Sequence, residues 1–303
     1  MPRLPESITD LLAELQGDDF AIATACLAYA TGDAFGVAYE FQPKVRPPVP
    51  KQMLGKDDWP AGGVSDDTLL SLMTIACLTA ETPEAAKQLF LQKLKAASKS
   101  LRGLGPTTRH ALGIFVEDRE VGIIGTTNGG IMRTALLSLG FKDQAARQQW
   151  VSELCAATHF KTEALQTAQV MAEVFTAALA HKQVFESLEN AIEHLPLDTA
   201  LITALAKATE FEFPEAGISL NPTETLLAVL QIASSSHTVW QAYEASICAG
   251  GDTDTIAALS GALVALQNPQ SFYELDFIEA VNWQEIPELV TCIRQILENR
   301  SQR

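Results

Sequence analysis

The segment Gly250-Gly251-Asp252-Thr253-Asp254-Thr255 opens an apolar, alanine-rich helical pattern that continues to Ala265. It carries two carboxylates two residues apart, each followed by a hydroxyl, after a pair of glycines. Such a loop can direct several oxygen ligands at one point, and oxygen ligands suit Mg²⁺, Mn²⁺ or Ca²⁺ rather than zinc. Either aspartate could instead cap the helix that follows. The segment therefore predicts a helix whose start is either simply capped or a metal-binding loop.

A second acidic segment far upstream stands in the same setting. Ser65-Asp66-Asp67-Thr68 also follows two glycines, Gly62 and Gly63, and also opens an apolar helical pattern. Its two carboxylates can reach one site if the chain turns between them. Carboxylates so near to each other repel unless a cation lies between them. Ser65 as an N-cap would explain one residue of the segment. It would not explain two adjacent aspartates with flanking hydroxyls.

Apolar residues recur at helical spacing along most of the chain, and β-branched alternation is nearly absent. The best strand candidate, Val121-Gly122-Ile123-Ile124, is short and interrupted by a glycine. We therefore predict an all-α fold and, since no linker divides the chain, one domain over residues 1–303. Proline at a first helical position predicts helix starts at Thr82-Pro83 and Asn221-Pro222. The helical patterns are Phe20 to Tyr29, Leu69 to Leu78, Ala145 to Ala157, Ala164 to Leu179, Thr225 to Ser234 and Thr255 to Ala265.

Composition excludes several classes of function. The chain has 303 residues and a formal net charge of −16, which argues against general nucleic-acid binding because that requires a basic surface. No apolar run is long enough for a membrane span, and the N-terminus lacks the apolar stretch of a secretory signal. Five dispersed cysteines without a Cys-x-x-Cys pair argue against zinc and for reduced thiols. We expect a cytoplasmic monomer that binds no membrane.

Two further segments and a histidine carry candidate functional groups. In Thr31 to Glu40, after a helix that ends near Ala30, two glycines allow tight turns beside two carboxylates. Asp33 could instead be a turn or cap residue, and Glu40 a surface residue. In Gly125 to Arg133, a glycine-rich turn leads into a helix and could expose backbone N–H groups to a phosphate, although an ordinary turn is the simpler explanation. The lone histidine, His159, is more often structural than functional.

The stretch from Gln42 to Gly63 has no helical period and is rich in proline, glycine and lysine. It contains four basic residues in an acidic protein: Lys44, Arg46, Lys51 and Lys56. A loop of about twenty residues inside a compact domain is uncommon and often functional. A solvated surface excursion is an equally good explanation.

These segments, in this order, resemble the motifs of the ADP-ribosylglycohydrolase family, which includes the dinitrogenase reductase-activating glycohydrolases and the ADP-ribosyl-acceptor hydrolases. The family motifs read Gly-Asp-x-x-Gly-x-x-x-Glu, Thr/Ser-Asp-Asp-Thr, Asn-Gly-x-x-Met-Arg, Thr-His and Gly-Gly-Asp-Thr-Asp-Thr. The resemblance spans about residue 20 to 265, and the last motif is highly specific. The matching residues are Gly32, Asp33, Gly36 and Glu40, then Ser65 to Thr68, then Asn128, Gly129, Met132 and Arg133, then Thr158 and His159, and finally Gly250 to Thr255.

The resemblance implies a compact orthogonal bundle of helices with a two-metal site built by loops at helix ends, usually holding two Mg²⁺ ions and sometimes Mn²⁺. It implies hydrolysis of the bond between C1″ of an ADP-ribose and its acceptor. Glu40, on a mobile loop, and Asp66 are implied as general acid or base. The implied metal ligands are Ser65, Asp66, Asp67, Asp252, Asp254 and Thr255. The implied substrate contacts are Asn128, Gly129, Met132, His159, Gly250 and Gly251.

The motifs leave the acceptor open. An arginine or serine side chain of a modified protein, a nucleobase and a small metabolite such as O-acetyl-ADP-ribose all fit, and we expect the first of these partners. Acceptor contacts would come from variable loops such as the basic stretch from Lys44 to Lys56. Two residues depart from the pattern: Ser65 stands where threonine is common, and Thr127 stands where glycine is frequent. The second departure could alter how a diphosphate or ribose is cradled.

Other classes of function are weighed against this resemblance. The chain could bind ADP-ribose without hydrolysing it, or serve a structural role as crystallin relatives do. A degenerate relative should have lost carboxylates, and since none is missing here the residues favour an enzyme. A terpene or prenyl-diphosphate synthase would require Asp-Asp-x-x-Asp, whereas Asp67 is followed by Thr68-Leu69-Leu70. A calcium-binding helix–loop–helix protein would require a twelve-residue ligand loop.

Overall fold

The computed structural model describes residues 4–57, 59–180 and 183–302. Within these ranges no β-strand is present, and two isolated bridges, Lys56 with Trp59 and Ile218 with Gly251, are the extended pairings. The all-α prediction is therefore confirmed. The α-helices are α1 Glu6–Glu14, α2 Gly17–Gly36, α3 Asp66–Ile75, α4 Pro83–Ala97, α5 Pro106–Ala111, α6 Gly129–Ser138, α7 Gln144–Cys155, α8 Thr162–Leu179, α9 Val184–His194, α10 Thr199–Leu205, α11 Pro222–Ser235, α12 Val239–Ala249, α13 Thr253–Gln267 and α14 Leu289–Gln302.

Helices α2 and α13 form the centre of the core. Every residue of α2 from Ala21 to Gly36 is buried, and so is every residue of α13 from Thr253 to Leu266. Helices that are apolar on all faces are expected at the centre of a fold rather than at its surface. The other helices pack around this pair, so the first turn of α13 is buried.

Helix α2 is longer than the sequence pattern predicts. It continues past Ala30 to Gly36 and then into a 3₁₀ turn, Val37–Tyr39, so the prediction of a loop after Ala30 is wrong. A Cβ at Gly32 would come within 2.6 Å of the Ala257 carbonyl oxygen, and one at Gly36 within 2.4 Å of the Asp254 Cα. The glycines therefore let α2 lie directly against α13, which carries Glu40 to the start of α13.

Two other expectations are corrected. Residues 121–124 are not a strand: Val121 to Ile123 end a 3₁₀ helix, Asp118–Ile123, which a capping box between Glu117 and Glu120 stabilises. The expectation that no apolar run could span a membrane is also wrong by length and composition, because the stretch Gly17–Tyr39 qualifies. Of the apolar window in that stretch, 94% is buried inside the protein, as in a core helix.

The basic stretch from Gln42 to Gly63 is irregular, as predicted, and is attached to the fold at several points. Val49 is buried, and its backbone N–H donates to the Glu244 carboxylate at 3.0 Å. Lys44 Nζ donates to the Pro214 carbonyl at 2.6 Å, and Lys51 lies over the Trp240 ring. The stretch therefore lies against α12 and the loop that precedes α11, and is not a free surface excursion.

Candidate metal centre

A narrow cleft of about 50 Å³ opens where the end of α2 and the starts of α3, α6 and α13 meet. Such a volume holds a few waters or ions. Ten of the residues predicted to form the site line this cleft. They are Glu40, Asp66, Asp67, Asn128, Gly129, Met132, His159, Asp252, Asp254 and Thr255.

The first acidic segment enters the cleft as the first turn of α3. Ser65 is the N-cap, and its Oγ accepts from the Asp67 N–H at 3.0 Å. Asp33, reaching across from α2, accepts from the Ser65 N–H at 3.0 Å and from both the N–H and the hydroxyl of Thr68. The capping explanation is therefore correct for Ser65. Because Ser65 and Asp33 satisfy the helix start, Asp66 and Asp67 are free to face the cleft.

The second acidic segment enters the cleft as the start of α13. Both glycines have positive φ, 71° at Gly250 and 81° at Gly251. A Cβ at Gly251 would come within 2.0 Å of the Ile218 carbonyl oxygen, and one at Gly250 within 2.8 Å of Lys44 Cγ. Neither glycine lines the cleft, and both are packed closely against neighbouring chain segments. Thr253 points away, as expected, and donates to the Gly36 carbonyl at 2.8 Å.

Three carboxylates form the tightest group in the described part of the chain. One oxygen from each of Glu40, Asp252 and Asp254 lies within 4.8 Å of the other two. Opposite ligands of an octahedral Mg²⁺ are about 4 Å apart and adjacent ones about 3 Å. A small inward movement of the three side chains would therefore let them share one cation. Glu40, expected as an acid or base, belongs to this group as well.

The cleft concentrates negative charge in a buried place. Burial raises the pKa of Asp252 to about 6, and hydrogen bonds from Asn128 and Thr255 only partly offset it. Burial, followed by the charges of neighbouring carboxylates, raises the pKa of Asp66, Asp67 and Asp254 well above the ordinary value. Each carboxylate here is costly to ionise beside the others.

The residues fit a hard divalent cation. The buried oxygens Asp67 Oδ2 and Asp254 Oδ1 have no hydrogen-bond partner, although buried polar atoms are normally satisfied. A cation between the two acidic segments would satisfy both oxygens and remove the repulsion that raises the carboxylate pKa values. The donor set of carboxylates and a threonine hydroxyl suits Mg²⁺, Mn²⁺ or Ca²⁺ and not a thiophilic metal.

Helix α6 begins at the opposite wall of the cleft. Asn128 precedes it without a side-chain cap; its Nδ2 instead donates to the carboxylate of Asp252 and to Thr225 Oγ1, the latter at 2.9 Å. Its backbone N–H donates to the Leu220 carbonyl. Asn128 thus ties the second acidic segment to the start of α6, where unpaired N–H groups and the helix dipole favour an anion.

His159 is enclosed by a chain of hydrogen bonds. Arg133 Nη2 donates to Thr158 Oγ1 at 2.9 Å, which leaves the Thr158 proton for His159 Nδ1 at 2.8 Å. His159 Nε2–H then donates to Thr127 Oγ1, and Thr127 donates to Thr107 Oγ1, each at 2.9 Å. This pattern assigns the neutral Nε2–H tautomer. Burial, then the charge of Arg133, lowers the pKa of His159 well below its ordinary value.

The hydrogen bonds around His159 bear on the roles expected for His159 and for Thr127. Both ring nitrogens of His159 are occupied by threonine hydroxyls, so its exposure to the cleft is through Cε1, which packs against Gly129. The unusual Thr127 supplies one of those hydroxyls. Arg133 lies over the Phe90 ring and donates to carbonyls at the end of α7, so it braces the wall of the cleft and does not line it.

The sequence did not predict several of the residues in or beside the cleft. A turn of glycines before α5 contributes Gly103 and Gly105, and a Cβ at Gly103 would come within 2.7 Å of Asp66 Oδ1. The Gly-Pro start of a helix at Gly105-Pro106 was a readable signal. Lys56, in the basic stretch, contacts Glu40. No local sequence pattern predicts this contact, because an irregular segment separates the two residues. Ser65, an expected ligand, caps α3 and is not among the lining residues.

The family model described as ADP-ribosylglycohydrolase matches residues 18–296. Among solved structures 44 chains match, and one belongs to an ADP-ribosylglycohydrolase-related protein complex. It superposes with a TM-score of 0.72 at 22% identity, covering 94% of this chain and 99% of that chain. At that identity the likeness establishes the shared fold. No curated protein matches the sequence significantly.

Proposed function

The chain belongs to the ADP-ribosylglycohydrolase family, and we propose that it is a metal-dependent hydrolase that releases ADP-ribose from a modified protein side chain. One observation carries the proposal. Five carboxylates from three distant parts of the sequence line one small cleft beside the start of α6. A family member that had lost catalysis would have no reason to keep so costly a concentration of charge.

Two divalent cations, Mg²⁺ or Mn²⁺, are proposed for this cleft. Asp252, Asp254 and Glu40 would hold one side, and Asp66, Asp67 and Thr255 the other. The chemistry that such bound cations supply is orientation of the ribose hydroxyls and a lower pKa for an attacking water. Their charge would also offset the net charge of −16, which otherwise repels a diphosphate.

The protein groups around the cleft have proposed roles in binding the substrate. The first turn of α6, beginning at Gly129, offers backbone N–H groups to the diphosphate. Met132 and the Cε1 edge of His159 shape the wall against which the distal ribose would lie. Asn128, already bonded to Asp252, fixes the distance between the anion site and the carboxylates.

Two carboxylates are proposed to move protons. Asp66 lines the cleft beside the loop of Gly103, where it could pass a proton to the leaving group. Glu40 lies at the half-exposed edge of the cleft and would accept a proton from water. The glycosidic bond breaks through a transition state with oxocarbenium character, which carboxylates stabilise electrostatically.

The proposed acceptor is an arginine or serine side chain, and the proposed setting is the cytoplasm, where the five free cysteines would stay reduced. Hydrolysis of a small ADP-ribosyl metabolite such as O-acetyl-ADP-ribose, and binding of ADP-ribose without turnover, are the competing outcomes. Both alternatives would use the same cleft. The first differs from the proposed reaction in what is released with the ADP-ribose, and the second releases nothing.

The test is release of ADP-ribose from defined ADP-ribosyl-arginine and ADP-ribosyl-serine peptides, and from O-acetyl-ADP-ribose, with Mg²⁺, Mn²⁺ or a chelator. We expect release from one peptide, lost on chelation and restored by either metal. Glu40→Gln should bind ADP-ribose within a few-fold of wild type and lose turnover. Release that survives chelation, or none from any of these substrates, would contradict the proposal.

A further inference from the structure

The acidic cleft has a basic neighbour, Lys56. Among the ion pairs of the described residues, Lys56 with Glu40 is the one that involves a cleft carboxylate. Lys56 Nζ makes two contacts, at 2.8 Å to the Glu40 carbonyl and at 3.2 Å to Glu40 Oε2. The pair is half-buried, with 22% of the lysine side chain and 29% of the glutamate exposed. A cation is therefore already in place beside a carboxylate of the tightest acidic group.

The position of Lys56 is set by a tight turn. Its backbone pairs with Trp59 through two hydrogen bonds, 3.1 Å and 2.8 Å. Asp57 inside the turn has a positive φ of 51°. The Trp59 ring is covered by the guanidinium of Arg102 at 4.9 Å, and Arg102 is itself paired with Glu285. The braced turn therefore fixes the Lys56 backbone near Glu40, and the two hydrogen bonds to Glu40 hold the ammonium there.

Glu40 is held from the other side as well. The N–H of the next residue, Phe41, donates to the Gly251 carbonyl at 2.7 Å, which ties this stretch to the second acidic segment. Glu40 therefore lies between Lys56 and the pair Asp252 and Asp254. Its carboxylate can be shared with a lysine on one side or with a divalent cation on the other.

From this arrangement we propose that Lys56 is a positioning residue and a built-in counter-cation: its ammonium holds the Glu40 carboxylate in the metal-free protein and competes with the divalent cation for it. The inference rests on the proposed metal site but is separate from the hydrolytic step. Its physical basis is charge. A unit positive charge a few ångströms from a bound divalent cation weakens binding, and at the dielectric of a half-exposed site removing it strengthens binding about tenfold.

The same contact has an opposite effect on the metal-free protein. Without a divalent cation, the Lys56 ammonium pairs with Glu40, whose charge is one of the causes that raise the pKa of Asp254. Removal of the ammonium should destabilise the metal-free protein and increase the stabilisation that a saturating metal gives. Loss of an ordinary structural hydrogen bond would lower both states equally.

The experiment compares Lys56→Met with the matched control Lys87→Met. Lys87 pairs with Glu153 at 3.1 Å with 29% and 34% of the two side chains exposed, far from the cleft, so the charge change and type of pair are the same. Each full-length variant is stripped with chelator, titrated with Mg²⁺ by calorimetry, and melted with and without saturating Mg²⁺. Lys56→Arg keeps the charge and serves as the conservative variant.

We expect Lys56→Met to bind Mg²⁺ about tenfold more tightly than wild type, with a larger metal-induced rise in Tm. Lys87→Met and Lys56→Arg should bind as wild type does. Equal Mg²⁺ affinity and an equal metal-induced rise in Lys56→Met and Lys87→Met would overturn the role of Lys56. Absence of Mg²⁺ binding in wild type would instead contradict the proposed metal site itself, so the two failures are distinguishable.

Discussion

The two acidic segments look alike in sequence and differ in how the structure uses them. At the start of α3, Ser65 and the distant Asp33 satisfy the helix N-terminus. At the start of α13, Asp252 occupies the N-cap position without a side-chain cap bond and accepts from Asn128 instead. In the first segment, capping of the helix and lining of the cleft thus fall to different residues. In the second, the carboxylates are reserved for the cleft.

The largest effect is expected from removing one carboxylate of each segment. If both segments serve one site, Asp67→Asn and Asp254→Asn should each weaken Mg²⁺ binding more than about a hundredfold, since loss of groups behind metal ligands already costs ten- to a hundredfold. The double variant should lose little more, because the site is already broken. Calorimetric titration of all three variants decides this. Additive losses in the double variant would mean two independent sites.

The two residues that cap α3, Asp33 and Ser65, should contribute unequally to the free energy of unfolding. Asp33→Ala leaves the buried N–H groups of Ser65 and Thr68 without a partner and should lower the free energy of unfolding by about 3 kcal/mol. Ser65→Ala removes one N-cap bond and should cost about 1 kcal/mol. Urea unfolding of chelator-treated protein measures both. If Ser65→Ala lowers the free energy of unfolding more than Asp33→Ala, the cap that Asp33 provides from α2 is not what holds the start of α3.

The starts of these helices also mark the limit of what the sequence could predict. Local signals sufficed for helices such as α8, α11 and α13 and for the acidic residues of the cleft, because periodicity and caps are short-range properties. Three features depended on packing between distant segments. The extension of α2 beyond Ala30, the use of Asp33 as a cap for α3 and the contact of Lys56 with Glu40 each join residues whose neighbours in sequence say nothing of the partner.

The glycines illustrate the same limit. Their presence beside both acidic segments was plain, but the reason was not. Gly32 and Gly36 lie in a helix that touches α13, and Gly251 lies against Ile218. A glycine pattern predicts close approach; only the fold shows what approaches.

A moderate effect is expected from pH in the metal-free protein. The folded-state pKa values of Asp33 and Asp252 are raised to about 6 by burial, above the value of an unfolded aspartate near 3.9. The folded protein therefore binds these protons more tightly, so their contribution to stability is present at low pH and is lost as pH rises through about 6. Chelated protein should be about 2 kcal/mol more stable at pH 5 than at pH 7.

Saturating Mg²⁺ should reduce that pH dependence, because bound carboxylates stay ionised. Urea titrations at pH 5, 6 and 7 with chelator or with Mg²⁺ provide the measurement. Greater stability of the chelated protein at pH 7 than at pH 5 would be inconsistent with the charge in the cleft.

The smallest effect is expected at the opposite wall of the cleft, away from the acidic segments. His159 should remain the neutral Nε2–H tautomer throughout pH 5 to 8, because burial and Arg133 lower its pKa. Nitrogen chemical shifts of the histidine ring report both tautomer and protonation. Thr127→Val should lower stability by about 1 kcal/mol and leave Mg²⁺ affinity unchanged. A histidine that titrates near pH 6.5 would mean that the ring is open to solvent.

The claim that the two acidic segments together build the site for the two divalent cations is tested most directly by a crystal structure with Mn²⁺, recorded at a wavelength where manganese scatters anomalously. We expect anomalous peaks in the cleft, with oxygens of Asp66 or Asp67 on one side and of Asp252 or Asp254 on the other within about 2.3 Å of the metal. A cleft without an anomalous peak, or a metal bound by one segment alone, would contradict the account.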